Sequence, residues 1–244
     1  METQTNPSVS IFGIKFDLTI LAISLLTVLV VFLFVFWASR KMSIRPKGKQ
    51  NVLEYLYEFV NDTISDALGR YAKNYSLFLF VIFTFVFTAN NIGLMTAIKT
   101  EKFNYWTSPT SNFGVTITLS LLIALVCHVE GIRKKGLGGY LKGYLEPYPA
   151  MLPMNILEQL TNIASLALRL FGNIYSGEVL TGLILKLATA SVFAWPVAFV
   201  INILWVGFSL FIGAIQAYVF IILSSNYIGC LLYTSDAADD LIGV

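Results

Sequence analysis

Residues 155–186 read NILEQLTNIASLALRLFGNIYSGEVLTGLILK. This stretch decides the fold, because it reads as one uninterrupted helix. At 1.5 Å per residue it is about 48 Å long. The hydrocarbon core of a bilayer is only about 30 Å thick. Inside a membrane, such a helix has to tilt steeply, break or protrude. It also carries an arginine, Arg169, and a glutamate, Glu178, between apolar flanks.

The rest of the chain argues that a membrane is its setting. Of 244 residues, 57% are hydrophobic and 12% charged, and the mean hydropathy is +0.74. Soluble domains carry roughly 25% charged residues. A large soluble core is excluded by run length, since several uncharged stretches exceed the roughly 18 residues that mark a span. A net charge of +2 is too small to argue for nucleic acid, and no basic surface interleaved with aromatics is present. Cys127 and Cys230 lie far apart on apolar segments and read as free buried thiols. No metal-ligand cluster, phosphate loop or nucleophile motif is found, and no cofactor is implied. The N-terminus has no basic region or cleavage site of a signal peptide.

Outward from the long helix, the pattern predicts an all-α polytopic membrane protein of about five membrane helices in a single membrane domain. A first span covers 18–38, after a short N-terminus at 1–17. Second and third spans fall within 75–129, at about 75–98 and 113–129. Basic residues follow the first span (Arg40, Lys41, Arg45, Lys47, Lys49) and the third (Arg133, Lys134, Lys135, Lys142). The positive-inside bias puts 40–73 and 130–154 in the cytoplasm, with the N-terminus and 99–111 outside. Residues 50–70 form an amphipathic helix. Glu54, Glu58, Asp62 and Asp66 recur every fourth residue, opposite Leu53, Leu56, Val60, Ile64 and Ala67. The helix is placed on the cytoplasmic membrane surface or against a partner, and an ordinary solvated face is the alternative. The glycines and prolines of 136–153 predict a loop. A second long segment, from about Pro196 to Gly229, has no charge at all. With the first it forms a steeply tilted antiparallel hairpin over 155–229, its tip outside and its end inside.

One face of the long helix is polar. Glu158, Asn162, Ser165, Arg169, Asn173 and Ser176 are separated by gaps of three or four, which share a helix face. Glu178 lies nine residues beyond Arg169, so it points roughly opposite and sits about 13 Å further along the axis. On the next helix Asn202, Ser209 and Gln216 are spaced by sevens, with Gly213 between. Such residues let helices approach and bridge them in lipid, and Gln216 is expected to reach across the hairpin. An arginine at mid-membrane costs about 2.5–3.5 kcal/mol on insertion scales, and it cannot discharge. It therefore needs a carboxylate or water. Glu158, three turns away, is too far. A buried acid on another subunit is the expected partner. An arginine that snorkels to the interface is the alternative, which the stripe on both sides of Arg169 does not favour.

These residues carry a resemblance. RLFGN at 169–173, GE at 177–178 and IQAYVF at 215–220 resemble subunit a of the F-type ATP synthase in its bacterial form. PTSN at 109–112, KKGLGGY at 134–140 and NILEQ at 155–159 support it. The likeness runs from about the first span to about Gly229. It implies a non-catalytic stator subunit of a proton-conducting membrane sector in the bacterial cell membrane. Its partners would be a ring of c subunits, each with a carboxylate, the b-subunit peripheral stalk and the bilayer. By that resemblance Arg169 acts on the ring carboxylates and blocks a direct leak between two half-channels. Glu178 matches an acid of the outer half-channel, and Asn173 and Gln216 match polar residues beside the arginine. Glu158, with Asn112, would belong to the inner half-channel; Ser176 and Ser209 are weaker candidates. Ser209 departs from the family, which often has a histidine or acid there. His128 does not replace it and reads as a polar helix end. Residues 230–244 do not resemble the family's short polar tail, fit no channel motif and suggest an artefact of sequence assembly.

Two other classes remain as alternatives. A secondary transporter or channel using Arg169 to bind an anionic substrate predicts an inverted repeat or broken helices, which the sequence does not show. A structural scaffold leaves the polar stripe and Glu178 unexplained.

Overall fold

The computed structural model describes residues 8–11, 14–40, 43, 48–95, 108–143, 152–190 and 194–242. Its body is helical, as expected. Ahead of the helices lies a short antiparallel hairpin, β1 (Ser8–Ile11) and β2 (Ile14–Asp17), with Val9 opposite Phe16 and Ile11 opposite Ile14. This hairpin was not anticipated; four-residue strands give too little alternation to stand out from sequence.

Helix α1 (Leu18–Ser39) is apolar on every side, and most of its large side chains are exposed. A helix like that is stable only in a hydrocarbon surround. Its inward face mixes Thr19, Ile20, Ile23, Thr27 and Ala38, and Thr27 donates to Ile23 O at 2.8 Å. After α1 the chain turns on Gly48, whose φ of 61° suits glycine. The Gln50 side chain closes that corner by bonding both backbone groups of Ser43 at 2.9 Å and Glu54 Oε1 at 2.6 Å.

Helix α2 (Lys49–Leu68) is the amphipathic segment. Leu53, Val60, Ile64 and Leu68 are buried, while Glu58, Asp62 and Asp66 are exposed. Glu54 leaves the acidic stripe to serve Gln50. A single 3-10 turn, Gly69–Tyr71, joins α2 to α3 (Ala72–Met95). α2 packs on α3 and on the last helix, α6 (Ala194–Ile242), and Phe59 lies between the rings of Phe83 and Tyr218 at 6.1 and 5.7 Å. At Gly229, a Cβ would come within 2.5 Å of Ala67 O. α6 therefore crosses the end of α2 at backbone contact, which only a glycine permits.

Helix α4 (Phe113–Gly143) overturns part of the predicted loop. The chain breaks at Gly136 (φ 70°, ψ 164°) but is helical again to Gly143. The physical reason is a tertiary contact. Tyr140 folds back and is buried, filling the space that a side chain at Gly131 would take, and its hydroxyl lies 2.6 Å from His128 Nδ1. His128 is thus a partnered polar group inside α4, eight residues before the break, and not at a helix end as expected. Glu130 is held by Arg133 at 3.1 Å. Cys127 is a buried free thiol.

Helices α5 (Leu152–Ala190, 39 residues) and α6 (Ala194–Ile242, 49 residues) form the long hairpin. The backbone of α6 continues past Gly229 through the atypical tail. Among the described residues, four helical stretches are long and apolar enough to cross a membrane: Leu18–Ser39, Lys49–Gly93, Phe113–Arg133 and Ala194–Gly229. The fifth expected span, α5, is long enough, but its polar face makes it less apolar. Buried Leu79, Val86, Ile123, Leu166, Leu170, Phe220 and Ile221 form the core shared by α3, α4, α5 and α6.

Candidate functional site

α5 turns one face to the core through Leu166, Ala167, Leu170, Ile174 and Ile184. Helical spacing then forces Glu158, Arg169, Asn173 and Ser176 outward, and all four are exposed, with Asn162 and Ser165 half-buried beside them. The predicted stripe is therefore a real surface feature of the chain. Arg169 donates from Nη2 to Ser165 Oγ at 3.5 Å, the weak limit of a hydrogen bond. Among the described residues no carboxylate pairs with it. Arg169 and Glu158 form no ion pair with each other.

The expected bridge across the hairpin is formed. Asn173 Nδ2 donates to Gln216 Oε1 at 2.7 Å, and Gln216 is 4% exposed. Trp205 Nε1 makes a second bridge to Thr181 Oγ1 at 3.2 Å. Together they fix an antiparallel register that sets Ser209 at the level of Glu178. Ser209 is buried and its Oγ has no partner among the described residues. Ser176 turns back to Asn173 O at 3.0 Å.

Removing one side of the Asn173–Gln216 bond should cost more than removing both. Asn173→Leu leaves a buried carboxamide oxygen without a donor, a loss of about 1–3 kcal/mol. The double variant with Gln216→Leu is expected to recover most of that stability while losing function. Thermal unfolding of the purified chain in detergent measures the first, and vesicle ATP synthesis the second.

Glu178, half-buried, points to the opposite side and meets a different set of groups. Ser108 N–H donates to Glu178 Oε1 at 2.9 Å. Ser108 Oγ donates to Ala89 O at 3.0 Å and lies 2.7 Å from Thr110 Oγ1. Thr110 donates to Asn90 Oδ1 at 2.7 Å, and Asn90 Nδ2 donates to Gly213 O at 3.3 Å. Ser108, Thr110 and Asn90 are fully buried. This polar chain runs from Glu178 of α5 through the segment before α4 and through α3 to Gly213 of α6, three residues before Gln216. Buried polar groups of this kind must be satisfied by one another.

Asn112 caps α4: its side chain accepts from Gly114 N at 2.8 Å and its carbonyl from Thr116 N at 3.2 Å. It stands four residues after Ser108, and the neighbouring Phe113 ring packs on Phe171 at 5.8 Å. Glu158 lies twenty residues from Glu178, about 30 Å along α5.

A family model described as ATP synthase A chain matches residues 21–229. Curated relatives agree with it. A protein named ATP synthase subunit a from Streptococcus agalactiae serotype III is 70% identical over 229 residues, covering 94% of this chain and 96% of the relative. The protein of the same name from Streptococcus gordonii is 54% identical over 231 residues, covering 94% and 97%. That from Streptococcus pneumoniae is 50% identical with the same coverage.

Proposed function

The chain belongs to the ATP synthase A chain family, and from that premise we propose that it is the proton-conducting stator subunit of the membrane sector. One observation carries the reading. Arg169 stands exposed on a membrane helix, its one hydrogen bond at 3.5 Å, with no carboxylate of its own chain beside it among the described residues. A permanent cation in that position needs an anion supplied from outside the chain. A ring of c subunits, presenting one carboxylate after another, supplies it by rotation.

The other residues then take distinct parts. Glu178 receives a proton from the outer aqueous half-channel, whose wall holds Ser108, Thr110 and Asn90. The proton passes to a ring carboxylate, which becomes neutral and can leave the arginine. After a turn of the ring the proton departs toward Glu158 and the inner half-channel. The bared carboxylate is drawn back to Arg169, whose charge favours the ionised form. Asn173 and Gln216 hold α5 and α6 together beside the arginine. Ser209 offers a hydroxyl where a bound water can pass a proton. The chain itself carries no ATP chemistry, which belongs to the rest of the complex. The N-terminus lies outside the bacterial plasma membrane and the C-terminus in the cytoplasm, with the b-subunit stalk bound on the cytoplasmic side.

The direct test is mild-detergent isolation of tagged chain from cells in which it replaces the resident subunit a. An oligomeric ring of small proteolipids is expected in the same particle. A chain that comes away alone from membranes containing assembled rings would overturn the proposal.

A further inference from the structure

Gly93 lies near the end of α3, on the turn after Ala89. A side chain cannot be added there: its Cβ would overlap the Cβ and Cα of Ser108 and lie 2.8 Å from its nitrogen. The missing side chain is a seat for the Ser108 backbone. Once seated, the Ser108 hydroxyl reaches Ala89 O at 3.0 Å, which fixes the residue's orientation. Its N–H then faces α5 and donates to Glu178 Oε1 at 2.9 Å. The contact joins residues 70 positions apart, and Ser108 is fully buried. A backbone donor in a seat of this kind can neither swing away nor titrate, unlike a side chain. Hydrogen bonds to a carboxylate favour its charged form.

We infer that Ser108, seated in the Gly93 notch, is a positioning residue for proton uptake at Glu178. Its N–H holds the carboxylate at one place on the proton path and stabilises it while it is charged between protons. The inference rests on the proposed role of Glu178. It adds that the backbone of the segment before α4, and not only the side chains around the channel, sets how readily that acid is loaded.

The backbone at Ser108 permits a clean test. Its φ of −62° and ψ of 135° suit proline, whose φ is near −65°, and suit a residue that precedes Pro109. Ser108→Pro removes both the N–H and the hydroxyl. Ser108→Ala removes the hydroxyl alone. Gly93→Ala keeps both groups but pushes Ser108 out of its seat. Each variant, shown to be assembled with its ring, is assayed for proton-driven ATP synthesis in vesicles across a range of external pH. Ser108→Ala is expected to slow synthesis a few-fold with an unmoved pH profile. Ser108→Pro is expected to slow it about tenfold further, as the loss of a charged hydrogen bond dictates, and to displace the profile toward higher external pH. Gly93→Ala is expected to displace it in the same direction. Should Ser108→Pro not assemble, the Gly93→Ala profile decides alone. A proline variant that matches the alanine variant in rate and profile, or an assembled Gly93→Ala with the wild-type profile, overturns the inference while the role of Glu178 stands. Full activity in Glu178→Gln would remove that role, and the inference with it.

Discussion

Replacing Arg169 by alanine is expected to abolish coupled ATP synthesis in vesicles while the ring stays assembled. Removing one partner of a desolvated charge pair costs about 2–5 kcal/mol, which is roughly a thirtyfold to several-thousandfold loss. The residual rate should therefore fall below a few per cent. The loss also has a second sign. Without the cation, ring carboxylates are expected to exchange protons across the interface without turning, so vesicles stripped of the catalytic sector should leak protons faster than wild type. Arg169→Lys is expected to rescue poorly, because a lysine can lose its proton in a dry environment and offers no planar fork. An assembled Arg169→Ala complex with full coupled synthesis would show that the arginine is only structural.

Glu178→Gln is expected to have the next largest effect. The carboxamide keeps the size of the side chain and can still accept from Ser108 N–H, which holds Oε1 at 2.9 Å in the native chain. It cannot take up and release a proton. Positioned acid–base groups contribute typically 10²–10⁴-fold, so synthesis should drop about a hundredfold or more with assembly unchanged. Glu178→Asp should fall between the two, since the proton-carrying group survives but withdraws from the Ser108 amide. Initial rates after an imposed pH jump separate these cases. A glutamine variant at the wild-type rate would mean that protons bypass this residue.

The sequence showed some of this site clearly and other parts not at all. The stripe from Glu158 to Ser176 was legible because helical periodicity alone places residues on a face, and the exposed positions agree with it. Asn173 and Gln216 were legible as partners because two polar groups on an otherwise apolar hairpin have few other places to go. The links from Glu178 through Ser108, Thr110 and Asn90 to Gly213 were hidden. They join residues separated by 70, 2, 20 and 123 positions, and no local pattern encodes such distances. The neighbours of Asn112, a recognisable motif residue, likewise depend on where the segment before α4 is seated. The helical turn beyond Gly136 was missed because glycine-rich sequence predicts a loop until a buried contact, here Tyr140 against Gly131 and His128, supplies the stabilisation that propensity lacks.

The uncompensated charge of Arg169 also sets an electrical barrier. At an effective dielectric of about 20, two unit charges about 5 Å apart repel by about 3 kcal/mol. By the Boltzmann factor, a hydronium ion near the guanidinium is then rarer by a factor on the order of a hundred. On the proposed role, the barrier falls only while a ring carboxylate neutralises the arginine, and a carboxylate in that place also blocks the path. On that reading, tightness against leak follows from one fixed charge and the occupancy of its neighbourhood.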